Sequence, residues 1–495
     1  MKVVPDLLRH SAKANSEGIA VVDGQKRITY GTLLSMVQDL SSFLVSKGVG
    51  YGDRVAILLP NSLEFITSFF SVLEIGAISV PLNTAYKETE LEYYISDSAP
   101  RIILTEETLR PMAEKSADQA GASVLVIRGA ITDYSYSSNG VSSKIKHDLI
   151  ADDEAIYLYS TGTTAKPKCV ARSHLNLIAL AENHTQTVGW AENDKILFVV
   201  PLSHTYALGN FISGIKVGAT LYVLSSFNRN RVIDMIEGEA ITIFPAVPFM
   251  LDVLAKTYLP KPRDFSSLKL VISAGSPLSK EVFYRFGEKF GIYPRQLYGS
   301  TETGVIAINL SQDIEVNFDS VGRAVKNVEV QIVREDGSVV GAGEEGEIAV
   351  KSSSMISGYK NLPQDTMSVF RNGYYHTGDL GTMDKDGYIR IVGRKKMFIN
   401  ISGNKVNPRE VEHQISGHSK VKEVVVFGVS DREGNEVVKA VIVPKADLTA
   451  KEIYEFCRGK IADFKIPSKI EFRQTIPRGP TGKVVIELLK KMYSK

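Results

Sequence analysis

The sequence is poor in cysteine and has no long apolar segment. Its 495 residues include only two cysteines, Cys169 and Cys457, too few for a disulfide framework and typical of a reducing compartment. Residues 1–10 lack the apolar core of a signal peptide, and no uncharged apolar run reaches the length of a membrane span. Internal repeats and low-complexity tracts are also missing. These absences predict a cytoplasmic protein without a membrane span.

An excess of one charge is confined to one end of the chain. Residues 394–495 contain 21 Lys and Arg against 12 Asp and Glu, whereas the remainder contains 37 against 44. Such a basic section fits a surface that meets a phosphorylated partner, although an ordinary lysine-rich surface is the simpler explanation. No cluster of base-stacking aromatic residues accompanies the charge. Nucleic-acid binding is therefore disfavoured.

Apolar segments alternate with helical ones over the first 270 or so residues. Residues 54–60 predict a strand, residues 63–73 a helix that Gly76 ends, and residues 78–82 a second strand, together a βαβ crossover. Similar short strands recur between residues 101 and 273. Because this alternation is typical of parallel sheets covered by helices, we predict an α/β fold with two mainly parallel sheets.

The pattern changes after about residue 320. Glycine-punctuated β segments there predict a small β subdomain over about residues 320–393. We therefore expect a large amino-terminal domain, residues 1–393, and a small mobile α+β domain, residues 394–495. The boundary falls in a stretch with one or two flexible positions, which indicates a hinge near residue 396.

The carboxyl-terminal section predicts its own elements. Residues 421–429 and 437–443 alternate as the two strands of a hairpin, and residues 469–472 add a strand. Thr449 and Glu452 have the spacing of a capping box, which places Cys457 on the apolar face of the following helix. A final helix begins at about Val484.

A hydroxyl-rich loop with two lysines follows the strand 155–159. It reads STGTTAKPK over residues 160–168, and its backbone N–H groups, hydroxyls and ammonium groups suit the phosphates of a nucleotide. It is not a Walker loop, because Pro167 separates Lys166 from Lys168 and the Gly-Lys-Ser/Thr ending is missing. Taken alone, such a stretch is as often a solvated turn.

Four further motifs decide between these readings. They are residues 296–304 (QLYGSTETG), 375–380 (YHTGDL), 393–396 (GRKK) and 477–483 (PRGPTGK). In this order and spacing the five motifs resemble the adenylate-forming superfamily of acyl- and aryl-CoA ligases, carrier-protein adenylation domains and beetle luciferases. The resemblance extends from about Thr29 to Lys483, nearly the whole chain.

The resemblance implies a reaction in two steps at one site. A carboxylate oxygen attacks the α-phosphorus of ATP and pyrophosphate leaves. The thiol of coenzyme A, or of the phosphopantetheine on an acyl carrier protein, then attacks the acyl-adenylate after the small domain rotates about a hinge at Lys396. Gly403 would line the tunnel for the thiol arm. The implied cofactors are ATP, Mg²⁺ and coenzyme A.

The resemblance also assigns the nucleotide contacts. The phosphate loop would use Ser160, Thr161, Gly162, Thr163, Thr164, Lys166 and Lys168. The adenine would lie against Gly275, Ser276, Pro277, Tyr298 and Gly299. Asp379 would accept hydrogen bonds from both ribose hydroxyls, and Arg394 would contact the ribose or a phosphate. An aspartate that only caps a turn is the structural alternative for Asp379.

Four residues are assigned to the chemistry itself, and one of them is His204, which would contact the acid or close the thiol tunnel. Glu302 is a suitable oxygen ligand for Mg²⁺, and Thr301 would donate a hydrogen bond to the α-phosphate. Lys483 would neutralise the substrate carboxylate and the α-phosphate as these two anions approach. Without the family pattern, Glu302 would be read as a surface turn and Lys483 as a solvated lysine.

The acid pocket is the least specified part of the site. Residues 201–209 lack the Asp that amino-acid-activating relatives use to bind an ammonium group, so an α-amino acid is disfavoured. His204 and Tyr206 resemble the aromatic gate of aryl- and fatty-acyl-CoA ligases, and a helix-capping or buried His204 is the alternative. The remaining predicted pocket residues are Ala274, Gly299 and Gly304. Aryl and aliphatic acids both remain open.

Departures from the family pattern leave alternatives. Ala165 and Cys169 stand where glycine is usual, and Asn400 stands where many relatives carry lysine. Cys169 would be a tolerated small residue or a redox-sensitive thiol. The first hypothesis is an acid–CoA ligase, the second a stand-alone enzyme that loads a carrier protein, and the third a catalytically impaired ligand-binding homologue.

Overall fold

The computed structural model describes most of the chain in two compact units. It describes residues 1–127, 148–160, 167–315, 317–395, 399–401, 404–430, 436–458, 460–461, 463–479 and 484–492. Unit 1 comprises Met1–Gln331, Ala349–His376 and Asp384–Ile389, and unit 2 comprises Ile332–Ile348, Thr377–Met383 and Arg390–Lys495.

The strands are short and numerous. In the first half of the chain they are β1 Ile19–Asp23, β2 Lys26–Thr29, β3 Arg54–Leu58, β4 Ile78–Pro81, β5 Ile102–Thr105, β6 Ser123–Val126, β7 Glu154–Ser160, β8 Lys168–Ser173, β9 Lys195–Phe198, β10 Thr220–Val223 and β11 Ile243–Ala246. They continue with β12 Leu270–Ser273, β13 Arg295–Ser300, β14 Gly304–Ile308, β15 Arg323–Ala324, β16 Val328–Val333, β17 Gly346–Ser352, β18 Phe370–Arg371, β19 Tyr374–Met383 and β20 Ile389–Arg394. The last are β21 Ile399–Ile401, β22 Asn404–Val406, β23 Val421–Ser430, β24 Glu436–Pro444 and β25 Lys469–Phe472.

Helices fill most of the intervals between strands. They are α1 Pro5–Ala14, α2 Tyr30–Ser46, α3 Leu63–Glu74, α4 Glu88–Ser98, α5 Arg110–Ala120, α6 His174–Val188, α7 Thr205–Val217, α8 Arg229–Gly238, α9 Pro248–Lys256, α10 Lys280–Phe290, α11 Pro363–Val369, α12 Pro408–Ser416, α13 Ala450–Cys457 and α14 Ile486–Lys491. In the part of the chain that the structure describes, no helix is long and apolar enough to cross a membrane.

Unit 1 contains two sheets that are mainly parallel, as the alternating pattern predicted. One sheet has nine strands in the order β15-β14-β13-β12-β11-β9-β10-β1-β2, and the other has six in the order β6-β5-β3-β4-β7-β8. Their antiparallel pairs lie at the ends: β1/β2, β13/β14, β14/β15 and β7/β8. Two of these end pairs, β7/β8 and β13/β14, carry two of the five motifs.

The predicted βαβ crossover illustrates how the sequence specifies these layers. Strands β3 and β4 are parallel, with Val55 opposite Ser79. Between them α3 begins where the Ser62 hydroxyl accepts the Phe65 N–H, and the chain leaves the helix through Gly76 at φ +75°, a conformation that favours glycine. The helix buries Phe69 and Phe70, so it covers one face of the sheet as predicted.

Smaller sheets follow the large ones, among them the antiparallel pair β21 and β22. Strands β16, β17, β19 and β18 form a sheet in that order, with β20 beside β19, where glycine-punctuated β structure was expected. In unit 2, β23 and β24 are antiparallel partners and β25 lies parallel to β24. The predicted hairpin, capping box and buried Cys457 are all present. The domain boundaries at residues 393 and 394 stay a prediction.

Two buried histidines give unit 1 a pH-dependent stability. Burial lowers the pKa of His184, which lies against the Trp190 ring, to about 4, and it lowers the pKa of His174 to about 4 as well. As the pH falls, the two histidines of the unfolded chain become protonated near pH 6.5, whereas those of the folded chain become protonated only near pH 4. The contribution of the two neutral histidines to the free energy of unfolding is thus fully present above about pH 6.5 and is lost as the pH falls toward 4.

We expect the free energy of unfolding to fall by roughly 3 kcal/mol per histidine between pH 6.5 and 4. Urea unfolding at several pH values would measure this. His184→Phe should flatten the pH dependence by about half of the histidine contribution, because it removes one of the two titrating groups. His10→Phe, at an exposed position of the same unit, is the matched control. Identical slopes for wild type and His184→Phe would contradict the assignment.

Candidate active site

The predicted phosphate loop joins the two strands of an antiparallel pair. Ser160, at the end of β7, lies opposite Lys168, at the start of β8, in the antiparallel pair at one end of the six-stranded sheet. Ser160 is buried. The predicted contacts Thr161, Gly162, Thr163, Thr164 and Lys166 lie outside the described residues, as does Ala165.

Lys168 is engaged by the protein itself. Its ammonium group pairs with the Asp365 carboxylate on α11 and lies 4.7 Å from the centre of the Tyr359 ring, a cation–π distance. The sequence indicated only that this lysine would supply charge to a phosphate. That role stays a prediction, and the structure adds the two side chains that hold the ammonium in place.

The Tyr298–Gly304 motif forms the turn between β13 and β14. Ser300 lies opposite Gly304, and the Ser300 hydroxyl accepts the Thr303 N–H at 3.2 Å. The two predicted pocket glycines, Gly299 and Gly304, are in close contact, since a Cβ at Gly299 would lie 2.3 Å from the Gly304 carbonyl oxygen. Larger residues at 299 would therefore push the two strands apart.

Glu302 lies on this turn as a nearly buried carboxylate. Its side chain is 6% exposed, and the Tyr359 hydroxyl donates a hydrogen bond of 2.9 Å to Oε1. Burial and the neighbouring Glu302 charge raise the pKa of Tyr359, so the phenol remains a donor. Through Tyr359 the structure links Lys168 of the first motif to Glu302 of the second.

Asp379 and Arg394, predicted as the two ribose contacts, are partners within unit 2. The Arg394 Nε donates to Asp379 Oδ1 at 2.7 Å, and Asp379 is 6% exposed. The chain turns at Gly378, which has φ +74°. Because of this turn, the Asp379 N–H donates a hydrogen bond to the Thr377 hydroxyl at 3.0 Å. The third and fourth motifs thus meet at one carboxylate, and their contacts with a nucleotide stay predictions.

The predicted adenine loop follows strand β12, and the predicted acid-pocket residues His204 and Tyr206 lie at the start of helix α7. Gly275, with φ +89°, and the next two residues, Ser276 and Pro277, are exposed directly after β12, whereas Ala274 is buried. His204 is the N-cap of α7, where Nδ1 accepts the Tyr206 N–H at 3.4 Å. The Tyr206 hydroxyl donates to the Ile272 carbonyl at 3.2 Å, which ties α7 to β12.

His204 therefore has the helix-capping contact that was named as its structural alternative. Tyr298, predicted to stack on adenine, is half-buried and lies opposite Ala307 in the β13/β14 pair. Lys396, Gly403 and the catalytic candidate Lys483 lie outside the described residues. The same is true of the side chain of Asn400.

Cys169 behaves as a buried small residue. It is buried, and burial, together with the nearby Asp97 and Glu154 charges, raises its pKa to about 12. A thiol of this kind is rarely ionised at neutral pH, so its reactivity is low. The structure favours the tolerated-residue interpretation over the redox-sensitive one.

Sequence reasoning missed three residues that hold Lys168 or the β13/β14 turn in place. Tyr359 contacts Glu302, Asp365 pairs with Lys168, and Arg172 donates to the Thr301 carbonyl. A charged residue within the apolar strand β8 was the one available signal for Arg172. The other two lie about 60 and 200 residues from their partners, and no pattern within the sequence joins them.

Family models match both parts of the chain. A model described as AMP-binding enzyme covers residues 8–360, and one described as AMP-binding enzyme C-terminal domain covers residues 410–483. The chain belongs to the AMP-binding enzymes. This places the five motifs in the adenylate-forming superfamily, as their order predicted.

Relatives and solved structures match this AMP-binding enzyme along its whole length. The long-chain-fatty-acid–CoA ligase FadD13 of Mycobacterium tuberculosis is 30% identical over 506 aligned residues, covering 100% of this chain and 99% of FadD13. The oxalate–CoA ligase of Arabidopsis thaliana is 30% identical, covering 97% of this chain and 96% of that one. The structure of ATP-bound MatB from Rhodopseudomonas palustris superimposes with a TM-score of 0.90 at 28% identity, over 100% of this chain and 99% of MatB.

The relatives define the reaction class more firmly than the acid. Those named above include CoA ligases for a long-chain fatty acid and for oxalate. This AMP-binding enzyme is accordingly an acid–thiol ligase of the AMP-forming type, a class whose CoA ligases use ATP and coenzyme A.

Proposed function

We propose that this enzyme converts a carboxylic acid that is not an α-amino acid into its coenzyme A thioester through an acyl-adenylate. The observation that carries the proposal is the nearly buried Glu302 carboxylate on the β13/β14 turn, held by Tyr359 and joined through that residue to Lys168 beside the phosphate loop. In the first step a carboxylate oxygen bonds to the α-phosphorus of ATP and pyrophosphate leaves. In the second, the thiol sulfur bonds to the acyl carbon and AMP leaves.

Glu302 fits one Mg²⁺ ion. Mg²⁺ is usually held by one or two carboxylates together with substrate phosphates, and the described residues contain no group of three or more His, Cys, Asp or Glu that would bind a metal without substrate. When bound, the ion would neutralise phosphate charge. Tyr359 keeps one carboxylate oxygen oriented, and Thr301 lies beside it to donate to the α-phosphate.

The remaining roles follow the family pattern. Asp379, a buried carboxylate with Arg394 beside it, would accept hydrogen bonds from the ribose hydroxyls. Lys483 would neutralise the carboxylate and the α-phosphate. His204 would contact the acid or close the thiol tunnel, and Gly403 would line that tunnel.

The acid class follows from the pocket and the relatives. Because residues 201–209 offer no carboxylate for an ammonium group, we propose an aryl or aliphatic acid. The relatives' acids, a long-chain fatty acid and oxalate, support this breadth. Two buried free cysteines support a reducing compartment such as the cytoplasm.

Carboxylate-dependent exchange between ATP and pyrophosphate tests the first step. A panel of aryl and aliphatic acids should give exchange with at least one class, and α-amino acids should give none. Thioester formation with free coenzyme A, compared with a phosphopantetheinyl carrier protein, then identifies the acceptor. A preference for the carrier would favour the second hypothesis. Absence of exchange with every acid, with ATP still bound, would identify a ligand-binding homologue instead.

Rotation of the carboxyl-terminal domain is tested at Lys396. Proline there restricts φ, so Lys396→Pro should slow thioester formation on the order of tenfold or more while adenylation changes little. Rapid-quench measurement of both half-reactions separates them. Lys396→Ala is the control, because it removes the side chain and leaves the backbone free. An equal loss in both half-reactions would count against a hinge at this residue.

A further inference from the structure

Arg172 is a charged residue in the interior of unit 1. It lies on β8 opposite Ile156, and its side chain is fully buried, with 0% exposure. Burial lowers its pKa to about 10, and the Glu302 charge opposes that shift. In the part of the chain that the structure describes, no carboxylate forms an ion pair with it. A buried charge in this condition is costly unless its surroundings stabilise it.

The guanidinium is instead stabilised by backbone carbonyl groups. Nη1 donates to the Thr301 carbonyl at 3.4 Å, and Nη2 donates to the Ser354 carbonyl. These acceptors lie 129 and 182 residues further along the chain. Nε has no hydrogen-bond partner among the described residues. One side chain thus ties β8, which follows the phosphate loop, to the turn that carries Glu302.

Three consecutive carbonyl groups of that turn are held in the same way. The Thr301 carbonyl accepts from Arg172, the Glu302 carbonyl from the Ile356 N–H at 2.9 Å, and the Thr303 carbonyl from the Ser354 hydroxyl at 2.8 Å. The backbone of the turn is therefore committed to the protein. By contrast, the Thr301 hydroxyl makes no hydrogen bond to any described residue.

We propose that Arg172 is a positioning residue for ATP. Its guanidinium fixes the turn through the Thr301 carbonyl, and its positive charge acts on the Glu302 carboxylate from within the same buried region, so that Thr301 and Glu302 are held ready for the triphosphate and its metal. Arg172 itself acts through the turn and is not assigned a contact with the nucleotide. This inference rests on the proposed function, which assigns the turn to ATP.

The charge is what distinguishes this role from packing. Val170 on the same strand is buried and apolar, so β8 has no general need for a polar side chain here. An apolar residue of similar volume at a buried ionic position is often tolerated by the fold. Loss of the charge should therefore affect Mg·ATP binding more than it affects folding or the binding of AMP, which lacks the β- and γ-phosphates.

The test compares Arg172→Met and Arg172→Lys with Arg295→Met in the full chain. Arg295 is a matched control, because it is a half-buried arginine on β13 whose guanidinium donates to a backbone carbonyl, that of Ser311, away from the turn. Calorimetric titration with Mg·ATP and, separately, with AMP gives the binding readout. Kinetics of the exchange reaction give KM and kcat.

We expect Arg172→Met to weaken Mg·ATP binding about tenfold and AMP binding less than about threefold. Arg172→Lys should bind Mg·ATP more tightly than Arg172→Met, because lysine keeps the positive charge although it lacks the planar guanidinium that bonds both carbonyl groups. In kinetics, the KM for Mg·ATP should rise more than kcat falls. Arg295→Met should leave the ratio of Mg·ATP to AMP affinity unchanged.

Equal Mg·ATP and AMP affinities in Arg172→Met and Arg295→Met would overturn the inference. If Arg172→Met does not fold, Arg172→Lys decides: a weaker Mg·ATP affinity with normal AMP affinity supports the inference, and wild-type values for both contradict it. A wild-type protein that binds Mg·ATP yet exchanges pyrophosphate with no acid would instead overturn the proposed function while the binding comparison still tests Arg172.

Discussion

Lys483→Ala should abolish most of the adenylation activity. Because an ammonium placed between two converging anions stabilises the transition state, its removal typically lowers the rate by on the order of 10² to 10³. The second half-reaction, started from preformed acyl-adenylate and coenzyme A, should proceed nearly as in wild type. Pyrophosphate exchange measures the first effect, and single-turnover thioester formation measures the second.

A lysine of the same unit provides the control for this substitution. Lys451, at the start of α13, has a side chain that is 84% exposed, and Lys451→Ala should leave both half-reactions unchanged. If Lys483→Ala adenylates its acid at the wild-type rate, Lys483 has no place in the mechanism. Equal damage to both half-reactions would point to a general defect of the carboxyl-terminal domain.

Glu302→Gln should lower the exchange rate by on the order of 10². The substitution keeps the shape of the side chain and its contact with Tyr359, but it removes the negative charge that suits Mg²⁺. The Mg²⁺ concentration required for half-maximal activity should therefore rise together with the loss in rate. Titration of the exchange reaction with Mg²⁺ measures both quantities.

Two comparisons make this result specific. Glu288→Gln, at an exposed position on α10, removes a carboxylate from the same unit and should have no effect. Tyr359→Phe removes the hydroxyl that orients Glu302 and should cost less, roughly three- to tenfold. Unchanged Mg²⁺ dependence in Glu302→Gln would exclude Glu302 as the metal ligand, even if the rate falls.

Much of the fold followed from local patterns in the sequence. The βαβ unit from β3 to β4, the alternation of strands and helices up to β12 and the β23/β24 hairpin were all readable from periodicity and from turn residues. The cap at Thr449 was readable because its donor and acceptor lie three residues apart. The five motifs were likewise recognisable as short contiguous strings.

Contacts between distant segments could not be predicted from local sequence patterns. The pairing of Lys168 with Asp365 and the hydrogen bond from Tyr359 to Glu302 join residues that share no local pattern. The sequence predicted that Lys168 would contact phosphates, and it predicted no role for Arg172. In the structure Lys168 has a carboxylate partner, and Arg172 is a buried arginine that donates a hydrogen bond to the β13/β14 turn.

By itself the sequence determined the layered α/β architecture, the family and the reaction class, because these depend on hydrophobic periodicity and on chemical groups a few residues apart. Only the tertiary structure decided which side chains support Lys168 and the turn that carries Glu302. The physical reason is that burial, desolvation and hydrogen-bond partnership depend on which distant segments pack together. For Arg172, it was packing against segments 129 and 182 residues away that turned a surface-type residue into an internal charge.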